Sequence, residues 1–263
     1  MAAARFVVIA RVGRSMDFGS HPPYTRPVAF RDRLFATLRA VRPVLEEPGV
    51  LIVGSEVPNL LQPGAASTLV VSQDVDIGVP VDRHEAVKRR LGALRGLRPS
   101  ADEPSVLVPA AGELLEVNFV GMDPARGPMD TYLLEDAELP LMVFGPLALV
   151  HAGNPVEIEG IRLPLPRPAG LILEKLVTDR TGEKGDRDLL VALALLMTAG
   201  PDDVRELETA YRGLAPELRH AARSNLTILS LLAPRSGMPD PRRERARVAA
   251  FLRRLEAGEE DLP

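Results

Sequence analysis

Between Phe30 and Val120 the chain switches repeatedly between a helical and a strand period of apolar residues. Phe30, Leu34, Leu38 and Val41 recur at helical spacing, which predicts a first helix that stops at Pro43. Val50 to Val53 is a short unbroken apolar run, the mark of a buried strand; Gly54-Ser55 is its turn, and residues 56–61 form a short helix ending at Pro63-Gly64. The period then becomes two. Ser72, Asp74, Asp76 and Gly78 take one face of a strand, and Val71, Gln73, Val75, Ile77 and Val79 take the other, so one face is core and the other carries acid. Asp82 is placed to cap a helix that turns Val87, Leu91 and Leu94 inward and Lys88, Arg89, Arg90 and Arg95 outward, ending near Gly96. Val106-Leu107-Val108, a turn at Ala110-Ala111-Gly112, and Leu114 to Val120 read as a hairpin. On its second strand Glu116 and Asn118 share one face, and Leu115, Val117 and Phe119 the other.

Outside this stretch the pattern is simpler. Phe6 to Val12 is a β-branched run, a strand or arm leading into a loop that lasts to Pro27 and carries no assigned chemistry. From Gly121 to Pro168 the chain is rich in Pro and Gly, with a strand at Leu141 to Phe144 and a hairpin Val156–Ile158, Glu159-Gly160, Ile161–Leu163 that extends or flanks the sheet. Beyond Pro168 every apolar pattern is helical: Leu171 to Val177, Asp186 to Thr198, Val204 to Tyr211, Pro216 to Leu232, and Arg242 to Leu255. The fold class expected is α+β, a mixed sheet with helices packed on it, followed by an all-helical C-terminal domain. The division expected is 1–166 and 167–263.

Composition narrows the chemistry. At 263 residues, 46% hydrophobic and 26% charged, the chain has enough apolar material for one large or two ordinary domains. With no cysteine, disulfides, thiolate metal sites and cysteine nucleophiles are excluded, and His21, His84, His151 and His220 show no metal-ligand spacing, so a metal would be held by oxygen. A net charge of −4 argues against a protein that coats nucleic acid. Met1 to Ala10 is too short an apolar run for a signal peptide, and no later run approaches the roughly 20 residues of a membrane span, so the expectation is a cytoplasmic protein without a membrane partner.

The acid face carries the candidate chemistry. Asp74 and Asp76 have Cα atoms about 6.6 Å apart on a strand rising roughly 3.3 Å per residue, so their carboxylates can converge. Converging like charges raise each other's pKa unless a cation lies between them, and Mg²⁺ is the usual oxygen-bound choice. Glu116, an acid on a neighbouring strand, is the candidate for a second ion's ligand in two-metal phosphoryl transfer. Gly54 allows close backbone approach to a triphosphate, and Ser55 offers a hydroxyl and an N–H at a helix start. Taken singly, each has a plainer reading as turn or solvated strand face.

Together, Val53-Gly54-Ser55 and Asp74-Val75-Asp76-Ile77 resemble the polymerase-β-like nucleotidyltransferase superfamily over residues 30–120, with Glu116 in Leu115-Glu116-Val117 as the third carboxylate. The spacer from Ser55 to Asp74 is long for that family, and Val70-Val71-Ser72 stands where one branch has Arg-x-Thr. The resemblance implies a nucleotidyltransferase-like sheet, two Mg²⁺ ions on Asp74, Asp76 and Glu116, and nucleotide phosphates on Gly54 and Ser55. In the second half, Lys175, Arg180, Lys184 and Arg187-Asp188-Leu189 resemble nucleotidyltransferase toxins of abortive-infection type, although Val191 stands where a second acid is expected. That likeness implies Lys175 at the triphosphate and Asp188 positioning the basic group that includes Lys184. The plainer reading is a snorkelling lysine and a charged helix start. Lys88, Arg89 and Arg90 are read as a solvated face rather than an RNA track. The function implied is Mg²⁺-dependent transfer of an NMP from an NTP to an acceptor hydroxyl. The acceptor is tRNA in a toxin with an antitoxin partner, or alternatively a small antibiotic-type molecule; a non-catalytic nucleotide-binding regulatory module is the other alternative.

Overall fold

The computed structural model describes residues 27–62, 70–178 and 182–260. The expectations for Phe6 to Val12, for the helix end at Pro63-Gly64 and for Arg180 lie outside the described residues. Helix α1 (Pro27–Ala40) buries Phe30, Leu34 and Leu38. As expected, α1 stops before Pro43, at Ala40, and Pro43 then sits in the first turn of a second short helix, α2 (Arg42–Leu45), where a missing N–H costs nothing. The predicted buried run becomes strand β1 (Leu51–Ile52), followed by helix α3 (Val57–Leu60) and strand β2 (Asp74–Pro80). Val75, Ile77 and Val79 of β2 are buried, as their alternation requires.

After β2 the structure corrects the expected N-cap. Val81–Arg83 form a single 3₁₀ turn, with Asp82 paired to Arg83 at 3.5 Å. Helix α4 (His84–Leu91) starts only after that turn and has no side-chain cap. Strand β3 (Leu97–Pro99), which the pattern did not announce, precedes the expected hairpin of β4 (Val106–Pro109) and β5 (Glu116–Met122). Another unannounced strand, β6 (Tyr132–Leu134), pairs with β7 (Leu141–Val143). The sheet runs β1-β2-β5-β4-β3. It is mixed: β1 runs antiparallel to β2, β2 parallel to β5, and β4 antiparallel to β5. Because β2 occupies one whole edge of β5, the opposite edge is shared, by β4 at Val117 and Asn118 and by β7 at Gly121.

Helix α1 is fastened to this sheet by polar contacts as well as apolar ones. Leu115 N–H donates to the fully buried Thr37 Oγ1 at 2.8 Å, while that hydroxyl donates to Arg33 O at 2.8 Å and Arg33 donates to Leu114 O at 2.7 Å. The expected hairpin of β8 (Val156–Ile158) and β9 (Ile161–Leu163) forms a separate two-stranded sheet. Its two-residue turn has φ of 52° at Glu159 and 74° at Gly160, the left-handed pair that matches strand twist, and Glu159 is held at 2.7 Å by Arg39 of α1.

The remainder is helical: α5 (Pro168–Val177), α6 (Gly182–Thr198), α7 (Pro201–Arg212), α8 (Pro216–Leu231) and α9 (Pro241–Glu260). Every residue of α5 from Ala169 to Val177 is buried, the property of a helix with neighbours all round, and α6, α7 and α8 all pack on it. On α9 Val248, Phe251 and Leu255 face inward, so the expected amphipathic reading holds. The start of β2 is tied to the helical region by Val71 N–H to Gly237 O at 2.9 Å and Arg187 to Val71 O at 3.4 Å, and Ile52 N–H of β1 donates to Pro164 O at 3.0 Å. Among the described residues no helix is long and apolar enough to cross a membrane.

Candidate active site

The parallel register of β2 and β5 sets Asp74 beside Glu116 and Asp76 beside Asn118. All four are half-buried, on the face opposite the buried Val75, Ile77, Val117 and Phe119. Helix α3 closes over the same end of the sheet. Asn59 clamps the chain entering β2, donating to Val70 O at 2.6 Å and accepting from Val70 N–H at 3.1 Å, which brings Ser72 under Ser55. Ser55 Oγ donates to Ser72 Oγ at 2.9 Å, and Ser72 Oγ donates to Asp74 Oδ1 at 2.6 Å. Arg187, from the first half of α6, donates to Ser72 Oγ at 3.2 Å. One buried hydroxyl therefore links the Gly-Ser turn, the first aspartate and a guanidinium from the helical half.

Asn118 bridges the two aspartates. Its Nδ2 donates to Asp74 Oδ2 at 3.1 Å and to Asp76 Oδ1 at 3.0 Å, while its Oδ1 is buried without a hydrogen-bond partner. An amide N–H₂ between two carboxylates offsets their repulsion with its two partly positive hydrogens.

The sequence reading missed Glu56, which it took as the opening of a short helix. Its side chain is fully buried; Oε1 accepts from Asp76 N–H at 3.3 Å and Oε2 has no partner. Burial pushes the Glu56 carboxyl well above the usual range, and the charges of Asp76 and Asp74 push it further. The same acid explains Gly54. A Cβ at residue 54 would lie 2.8 Å from both Asp76 Oδ2 and Glu56 Oε1, and Glu56 Oε2 is closer still. Glycine is needed here because two carboxylates fill the space of a side chain. A hint lay in the sequence, an acid two residues after the glycine, but only the pairing of β1 with β2 turns it inward.

The helical residues are placed differently from one another. Lys175 is buried in α5 and ion-paired with buried Glu174 at 2.9 Å. Lys184 is exposed in the first turns of α6, and Asp188 is half-buried one residue beyond Arg187. Lys88 and Arg90 are tied into ion pairs, Lys88 with Glu85 at 2.9 Å and Asp136 at 2.8 Å, Arg90 with Glu47 at 2.6 Å.

Among the described residues, His84, Glu85 and Asp136 are the one histidine and carboxylate triple whose ligand atoms all lie within 4.8 Å of one another; Asp74, Asp76 and Glu116 form no such triple. The Lys88 ammonium already pairs with both acids of that triple. It holds the Asp136 carboxyl far below the usual range, helped by the Leu139 and Glu138 N–H groups, and the two acids hold the lysine above its own. His84 is structural, its Nε2 at 2.8 Å from Leu139 O. A cleft of ≈ 340 Å³ lies apart from the acids, lined among others by Arg167, Asp203 and Glu206. Its charges are engaged, Arg167 with Glu206 at 3.2 Å and Asp203 with the Gly200 N–H at 2.8 Å.

A hard divalent cation fits the donors at Asp74 and Asp76. Every candidate ligand is oxygen, and two buried oxygens flanking the aspartates, Glu56 Oε2 and Asn118 Oδ1, have no hydrogen-bond donor. No family model matches the chain, and no curated protein matches it. Among solved structures it is similar to an antigenic nucleotidyltransferase-like protein from Paracoccidioides brasiliensis, at 16% sequence identity and a TM-score of 0.47 over 83% of this chain and 93% of that one. At that distance no residue's role transfers, and the site is read from its own atoms.

Proposed function

We propose that the chain is a nucleotidyltransferase that moves an NMP from an NTP to an acceptor hydroxyl with release of pyrophosphate, with Mg²⁺ on Asp74 and Asp76. The observation that carries this reading is the convergence on Ser72 and Asn118. Two acids, a Gly-Ser turn and an arginine from a separate helix meet at one end of a parallel strand pair. Bound there, the cation would neutralise phosphate charge and orient the phosphoryl centre. The chain's own residues supply the rest. Ser55 exchanges its bond to Ser72 for a phosphate oxygen, and Arg187 offers the planar fork suited to phosphate. Lys184 and Asp188 flank it on α6, adding positive charge and holding its orientation. Glu116, beside Asp74 at the start of β5, takes the acceptor side and receives the hydroxyl proton. Lys175, buried on α5 and ion-paired with Glu174, takes a structural part in this reading.

Purified protein incubated with Mg²⁺, each α-labelled NTP and either bulk tRNA or a polyhydroxylated aminoglycoside tests the reading and separates the two acceptor classes. Label is expected on one acceptor with wild type and on neither with Asp76→Asn. Equal labelling by both proteins, or none by wild type, overturns the assignment; NTP binding that ignores Mg²⁺ points instead to a regulatory module.

A further inference from the structure

We infer that Asn118 is the third cation ligand, its amide N–H₂ standing between Asp74 and Asp76 and turning to present Oδ1 when the ion enters. This deepens the proposed reading and rests on it. The N–H₂ group lies 3.1 Å from Asp74 Oδ2 and 3.0 Å from Asp76 Oδ1, between the two carboxylates that would hold the ion. An asparagine amide has donors on one branch and an acceptor on the other, so half a turn about its last torsion exchanges them without moving the backbone. Here the acceptor branch is buried and has no partner, so the turn gives up no bond made by Oδ1.

A second, independent oxygen points the same way. The fully buried Glu56 approaches Asp76 from the Gly54 side, and its Oε2 also lacks a donor. Two half-buried aspartates flanked by two donorless oxygens form a hard-cation environment that the protein alone satisfies only in part. Glu116 is one residue pair further out, beside Asp74, which leaves it to the acceptor. With an amide in place of a third carboxylate, the ligand set carries one negative charge fewer, which lowers affinity and eases ion release.

The test is Mn²⁺ binding by the full-length chain, followed by the EPR signal of the free ion and by thermal unfolding with and without the ion. Wild type is expected to bind. Asn118→Ala is expected to weaken binding about 10-fold or more, and Glu116→Gln by less than about 2-fold, against the 10- to 100-fold losses typical at metal-site positions. Asn118→Asp, which adds a third like charge, is expected to unfold at lower temperature than wild type without Mn²⁺ and to regain the loss when Mn²⁺ is added. Asn118→Ala is expected to gain little from the ion. Unchanged binding in Asn118→Ala, or an equal loss in Glu116→Gln, overturns the ligand assignment while wild-type binding leaves the functional reading intact. Absence of Mn²⁺ binding by wild type, or binding that survives Asp76→Ala, overturns both.

Discussion

Gly54→Ala tests the packing of the site more sharply than any active-site deletion. The new methyl carbon would sit 2.8 Å from Asp76 Oδ2 and from Glu56 Oε1, with Glu56 Oε2 nearer still, where real contacts of this kind are well above 3 Å. Both carboxylates must move, and both are constrained: Glu56 by full burial and its bond from Asp76 N–H, Asp76 by Asn118. Overpacking of this kind costs about 1–3 kcal/mol. At about 2–4 °C per kcal/mol for chains of this size, the melting temperature should fall by about 2–12 °C. The loss should appear in the nucleotide-free protein, because the collision is with the protein's own acids. Calorimetric or circular-dichroism melts of wild type, Gly54→Ala, Glu56→Ala and the double variant provide the assay. Removing the Glu56 carboxylate relieves most of the clash, so the double variant should be more stable than the sum of the singles by about 1 kcal/mol or more. Additivity within about 0.5 kcal/mol would refute the reasoning, since residues in contact are expected to couple. A glycine required only for approach of a phosphate would leave the nucleotide-free melt unchanged.

Further consequences follow from the same contacts. Glu56 has a folded pKa above its unfolded value of 4.5, so the fold holds its proton more tightly than the unfolded chain and loses stability as pH rises from 4.5 through the raised folded value. In metal-free buffer Glu56→Gln should therefore unfold at higher temperature than wild type at neutral pH, with the gap closing toward pH 4.5; a gap that widens on acidification contradicts this. Thr37→Ala leaves the Leu115 N–H without its acceptor beneath the sheet and should cost about 1–3 kcal/mol in denaturant titration, whereas a loss near zero would mean α1 is not fastened there. Arg187→Ala should raise KM for the NTP with a smaller change in kcat, measured by initial rates, while Lys88→Ala on α4 should leave both constants unchanged.

Much of this arrangement was legible in the sequence because each element carried its own period. The two-residue alternation of Asp74 to Val79 and the helical spacing of Phe30 to Val41 survive in β2 and α1, and the positive-φ pair Glu159-Gly160 marks the β8–β9 turn. What was not legible depends on neighbours. Strands β3 and β6 are three residues each, Leu-Arg-Pro and Tyr-Leu-Leu, with no alternation of their own, and exist only because β4 and β7 offer edges. The cap expected at Asp82 gave way to a 3₁₀ turn because Val81–Arg83 use up the residues between strand and helix. Asn118 was visible as a face-mate of Glu116, but its place between the aspartates comes from the parallel pairing of β2 with β5, which no hairpin pattern reveals. Glu56 required both the β1–β2 pairing and the absence of a side chain at Gly54. Arg187 was readable as part of a basic motif with a family likeness or as a charged helix start, but its contact with Ser72 depends on how α6 meets the start of β2.

In the proposed function the nucleotide's phosphates bind between the aspartate pair and α6. A structure of the full chain with Mg²⁺ and an α,β-imido NTP tests it most directly. The triphosphate is expected at Ser55 and Arg187 with the ion on Asp74 and Asp76. A nucleotide seated instead in the cleft beside Arg167, or an ion away from Asp76, would contradict it.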